Sequence, residues 1–137
     1  MERIVVAAKA GADQPWLADA AADLAHQTGA AVSVVSLDGL DVEALSPTPR
    51  AEFTELAETT VNGFVERLRS AGIQADGHVR TGLVVPGVLL FAEEHNADVI
   101  MCGASTKGRV ARRLLGSVPV DLISRARRPV LVVTPAT

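Results

Sequence analysis

The sequence predicts an α/β fold: a five-stranded, mostly parallel sheet with helices on both faces. Three observations carry this. Short apolar runs such as residues 3–8 and 98–103 lack polar alternation, as strands covered on both faces do. Between the runs lie segments whose apolar residues recur at helical spacing. Strand and helix alternate along the whole chain, which in a single sheet requires crossover connections.

The first strand is Arg-Ile-Val-Val-Ala-Ala, residues 3–8. A turn follows at residues 11–14, and Pro15 suits the first turn of a helix, where its missing N–H costs nothing. Leu17, Ala20, Ala21, Leu24 and Ala25 form that helix's stripe, and Gly29 ends it. Residues 31–37 form the second strand, and residues 38–49, with Gly39, Pro47 and Pro49, a loop. A long helix over 50–70 carries Phe53, Leu56, Ala57, Thr60, Val61, Phe64 and Leu68 on one face. The third strand, residues 74–79, alternates and is expected at a sheet edge. A short helix over 86–95, a buried strand over 98–103, a loop over 104–116, a helix over 117–127 and a strand over 129–134 complete the order. In such sheets ligands sit beyond the C-terminal strand ends, where strand order reverses. Those ends are expected at residues 7–9, 37–39, 80–82 and 102–105.

The 137 residues fit one domain spanning residues 1–137, large enough to bury a core without disulfides or metals. Apolar residues make up 48% and charged residues 21%, which argues against disorder. Cys102 is the single cysteine, so neither an intrachain disulfide nor a cysteine zinc cluster is expected. No apolar run approaches the ~20 residues of a membrane span, and residues 1–6 lack a signal-peptide pattern. A cytoplasmic protein is expected. The net charge of −3 is uneven: residues 104–137 carry seven basic residues and one acidic one, leaving −9 on the remainder. This asymmetry points either to an anionic ligand near the C-terminal third or to solvated arginines on helix surfaces. Nucleic acid is a poor candidate, because aromatic residues are only 3% and none lies in the basic segment.

The chemistry concentrates in residues 103–117. Gly103 permits close approach to the backbone. Gly116 and Ser117 open a helix, where free N–H groups attract anions. Lys107 and Arg109 lie between them. The competing view is that Gly116 permits a turn and Ser117 caps a helix. His26, His78 and His95 are dispersed among the expected elements, so no metal site is expected. No base is visible for Ser105 or Ser117, so no catalytic residue is assigned. Cys102, on a buried strand, reads as an inert thiol. Residues 83–91 are more apolar than a half-exposed helix requires. They form either a covered core helix or a partner surface reached through Leu83 and Val84.

The glycine pattern resembles the universal stress protein family, whose nucleotide-binding members carry Gly-x2-Gly-x9-Gly-[Ser/Thr] after the fourth strand. Gly103 matches the first glycine and Gly116-Ser117 the last pair. Residues 114–118 (Leu-Leu-Gly-Ser-Val), 96–100 (Asn-Ala-Asp-Val-Ile) and 127–133 (Arg-Arg-Pro-Val-Leu-Val-Val) are similar to the family's phrases there, and Gly82 also fits. The resemblance covers essentially the whole chain. It implies a Rossmann-like fold of the universal stress protein type and often a homodimer through the last strand, here Val130, Leu131, Val132 and Val133.

The resemblance also implies a site for ATP or another adenine nucleotide, with or without Mg. Ala7 and Leu37 would flank the base, Cys102 and Gly103 would contact ribose or phosphate, and Gly116, Ser117 and Val118 would hold phosphates. Two departures stand out. The middle glycine falls on Thr106, with Gly108 two residues later. The acidic position after the first strand is Lys9, a donor where an acceptor is usual. Lys9 would attract phosphate or pair with Asp13 or Asp38. The leading expectation is a regulatory nucleotide-binding protein of stress physiology without catalysis. The alternative is a dimeric interaction module whose pocket is altered at Lys9 and Thr106, with possible docking to a protein partner. A slow ATPase ranks third.

Overall fold

The computed structural model describes residues 1–39, 50–104 and 117–135. Among the described residues five strands and four helices alternate: β1 Arg3–Ala7, α1 Pro15–Thr28, β2 Ala31–Gly39, α2 Arg50–Ser70, β3 Ala75–Gly82, α3 Val84–Glu94, β4 Val99–Gly103, α4 Ser117–Arg125 and β5 Val130–Val133. The strands form one sheet in the order β3-β2-β1-β4-β5, with every pair parallel. The α/β class and five-stranded sheet agree with the sequence expectation.

The apolar runs become central strands. Ile4, Val5 and Val6 are fully buried, as are Val32, Val34 and Val35. Alternate residues face opposite layers. Ile4, Val6, Val32, Val34, Met101 and the apolar stripes of α1 and α2 make one core. Val5, Val35, Leu37, Ile100, Phe91 of α3 and Leu122 of α4 make the other. Burying a side chain such as Phe91 stabilises by roughly 1.5–3 kcal/mol, and Phe91 is wholly enclosed.

Helix ends follow local chemistry. Gly29 adopts a left-handed φ of 76°, and its N–H reaches the carbonyl of Ala25. Pro86 does not start α3, which begins two residues earlier at Val84. A proline within a helix's first turn removes no intrahelical bond, so the helix extends back past it. β2 runs to Gly39 rather than stopping at Leu37, because β3 continues to Gly82 and pairs Asp38 with Thr81 and Gly39 with Gly82. α4 ends at Arg125, two residues before its expected end.

β3 is an edge strand, as its alternation predicts. The apolar run at residues 83–91 divides between the two expectations. Val85, Val88 and Phe91 are buried, whereas Leu83 and Leu90 are 51% and 58% exposed. Polar clasps tie elements together: Asp98 Oδ2 accepts the N–H groups of Glu2 and Arg3 at 2.6 and 2.9 Å, and Arg67 pairs with Asp19 between α2 and α1.

Candidate functional site

Strand order reverses between β1 and β4, so their C-terminal ends lie side by side with helices departing to opposite faces. Ala7 stands beside Cys102 across the ladder. Beyond β1, Ala8 N–H donates to Val35 O at 2.9 Å; beyond β4, Ala104 N–H donates to Val133 O at 2.9 Å. The end of β1 is thereby held to β2 and the end of β4 to β5. A crevice at such a reversal is where open α/β sheets bind ligands.

Two residues that sequence reasoning passed over converge here. Gln14 precedes α1 but makes no side-chain cap. Its Oε1 instead accepts the Lys9 N–H at 3.2 Å, folding the loop between β1 and α1 back on itself. Trp16, in the first turn of α1, is half-buried and packs against the core beneath that helix. A β-carbon built on Gly103 would stand 2.5 Å from Cη2 of Trp16 and 2.7 Å from Nε2 of Gln14. Gly103 is therefore glycine for an internal reason, because Trp16 and Gln14 already occupy the place of its side chain. The available signal was the single tryptophan in the chain, set in the first helix to leave a strand end. The same loop is latched to α2, where Gly11 N–H donates to Thr60 Oγ1 at 2.9 Å.

The expected site residues fall as follows. Ala7 is half-buried and packs toward the α3–α4 core. Lys9 is exposed, and among the described residues it forms no ion pair with Asp13 or Asp38. Asp38 is buried and accepts from Thr54 Oγ1 at 2.7 Å. The Leu37 side chain is buried against α3, with Cδ1 2.6 Å from where a β-carbon on Gly87 would stand. Only the Leu37 backbone reaches the strand end. Ser117 opens α4, and Val118 packs into the core beside it. Thr106, Lys107, Gly108, Arg109 and Gly116 lie outside the described residues.

Cys102 is buried, and burial pushes its thiol up to about 11, which keeps it protonated at neutral pH. The histidines are not all dispersed. β3 and α3 pack together and bring His78 and His95 to a ring separation of 5.3 Å, with Phe91 stacked 3.9 Å from His95. That proximity comes from tertiary pairing and is invisible in residue spacing. Among the described residues no group of three or more His, Cys, Asp or Glu is placed to hold a metal ion. Nor is any described helix long and apolar enough to cross a membrane.

The sequence model of the universal stress protein family matches residues 1–134. The chain belongs to that family. A Staphylococcus aureus (strain USA300) protein bearing the family's name is 29% identical over 139 residues, covering 96% of this chain and 83% of that one. Among solved structures, the universal stress protein from Archaeoglobus fulgidus in complex with dAMP is 27% identical. It superposes with a TM-score of 0.72, covering 96% of this chain and 97% of the other. A universal stress protein in complex with cAMP, 22% identical, reaches a TM-score of 0.74 over 96% of both chains. This universal stress protein thus shares both the fold and nearly the full length of those relatives.

Proposed function

We propose that this universal stress protein is a regulatory protein that binds an adenine nucleotide across the C-terminal ends of β1 and β4, without catalysis of its own. The observation that carries the proposal is the reversal of strand order beside Gly103, followed by a helix that opens at Ser117. Support comes from related proteins of the same fold that hold dAMP and cAMP, each with one phosphate. In this reading Ala7 and the Leu37 backbone border the base, and Cys102 and Gly103 meet the ribose or phosphate. Lys9, Thr106, Lys107, Gly108, Arg109, Gly116, Ser117 and Val118 surround the phosphate. A monophosphate asks less of the glycine pattern than a triphosphate does, so AMP-like ligands fit the Thr106 departure better than Mg·ATP. A cytoplasmic home is part of this proposal.

Calorimetric titration with AMP, cyclic AMP and Mg·ATP tests this, with Ser117→Ala beside the wild type. Saturable binding at micromolar strength, weakened in the variant, is expected. No heat with any of the three from folded protein overturns the proposal.

A second reading, a dimeric interaction module, is favoured by β5. This edge strand exposes 43% of Leu131, and apolar edges are commonly covered by pairing. We propose a homodimer through Val130, Leu131, Val132 and Val133. Light scattering should give twice the chain mass, and Leu131→Arg should lower it. An unpaired wild type overturns the dimer.

A further inference from the structure

We propose that Trp16, held with Gln14 beside Gly103, is the ligand-discriminating cover of the site. This inference rests on the nucleotide reading above. A β-carbon on Gly103 would lie 2.5 and 3.0 Å from Cη2 and Cζ3 of Trp16, so the edge of the indole's six-membered ring rests on this glycine. Gln14 closes the same side: its Oε1 is engaged by the Lys9 N–H, which aims Nε2 at Gly103. Any ligand atom approaching Gly103 from the α1 side meets these two side chains first. Backbone approach, the usual service of a glycine at a strand end, is here taken up by the chain itself.

Two features make the cover movable. The indole is only half-buried, so one side of it borders solvent while the other packs on the core. It also precedes the part of α1 that packs deepest, since Leu17, Ala18 and Ala21 are buried while Trp16 borders them. A nucleotide binds the form in which Trp16 has left Gly103. Its apparent affinity is then reduced by the fraction of molecules in that form. Ligands whose ribose must reach Gly103 are disfavoured, and ligands that stay clear of Gly103 are not.

Trp16 is the sole tryptophan, so its emission reports the cover directly. Calorimetry with AMP would be run on wild type, Trp16→Ala and Trp16→Leu, together with fluorescence and acrylamide quenching of the wild type. Trp16→Leu keeps an apolar side chain against the core should the alanine variant fail to fold. If about one molecule in ten is open, AMP binds the variants about tenfold more tightly, and AMP shifts wild-type emission to the red and raises quenching. Binding by the variants but not by the wild type supports the cover equally. Affinity unchanged within about twofold, weaker binding in the variants, or AMP bound with unshifted emission overturns the cover and leaves the nucleotide reading standing. No binding by any form overturns both.

Discussion

Leu37 of β2 packs into the notch that Gly87 leaves in α3: a β-carbon on Gly87 would stand 2.6 Å from Leu37 Cδ1 and 3.0 Å from its Cγ. The absent side chain lets the helix settle onto the strand whose end borders the proposed site. Gly87→Ala sets two effects against each other. Helix propensity gains about 1 kcal/mol, while forcing a methyl into a packed core costs about 1–3 kcal/mol. The added methyl meets Cγ and both methyls of a buried Leu37 rather than one tip of it, so overpacking is expected to win. The variant is expected to melt a few degrees lower, and Leu37→Val should restore part of the loss in the double variant. Additive effects in a thermal-melt cycle would show that the two residues do not compete for this space.

Asp98 ties the start of β1 to β4. The backbone N–H groups of Arg3 and Glu2 hold its carboxyl below its ordinary value of 3.8. A carboxylate with a lowered folded pKa stabilises above its unfolded value, and that stabilisation fades as pH falls through the folded pKa. Asp98→Ala should therefore lower stability at pH 7, and the gap to wild type should close as pH drops below about 4. Urea melts at pH 7, 4 and 3 would show it. A gap that is constant with pH would mean the carboxylate's charge does not matter here.

Ser36 sits fully buried in β2, and its hydroxyl finds no hydrogen-bond partner among the described residues. A buried hydroxyl without a partner costs about 1–3 kcal/mol. Ser36→Ala removes that cost along with one small atom, so the variant is expected to be as stable as wild type or about 1 kcal/mol more stable. A loss above about 1 kcal/mol in chemical denaturation would reveal a bond that forms in solution.

Cys102 should behave as a core atom. With its thiol pushed up to about 11 and its side chain buried, it should resist an aromatic disulfide reagent at pH 8 and react at once in denaturant. Prompt labelling of native protein would show that the end of β4 opens readily.

Much of the fold is legible in the chain. The continuous runs Ile4-Val5-Val6 and Ile100-Met101-Cys102 state their burial directly, because a strand covered on both faces has no polar side to display. Pro15 and Gly29 bracket α1 through effects confined to neighbouring residues. Where partners decide, local reasoning loses its grip. β2 gains Asp38 and Gly39 because β3 extends beside it, and no property of those two residues alone signals a strand. His78 and His95, 17 positions apart in the sequence numbering, meet only because α3 folds back on β3.

The candidate site divides in the same way. Periodicity and glycine placement, properties of short stretches, were enough to specify an alternating α/β chain and its strand ends, whereas the strand order, and so the point where it reverses, came only with the folded sheet. They also singled out Gly103 as a position that permits close approach to the backbone. What approaches it was settled only when β4 and the first turn of α1 came together. Trp16 and Gln14 stand 87 and 89 positions before Gly103 in the numbering, and their contact depends on how α1 crosses the sheet. A glycine declares that space is needed, but its occupant comes from another part of the chain, and only packing in three dimensions identifies it.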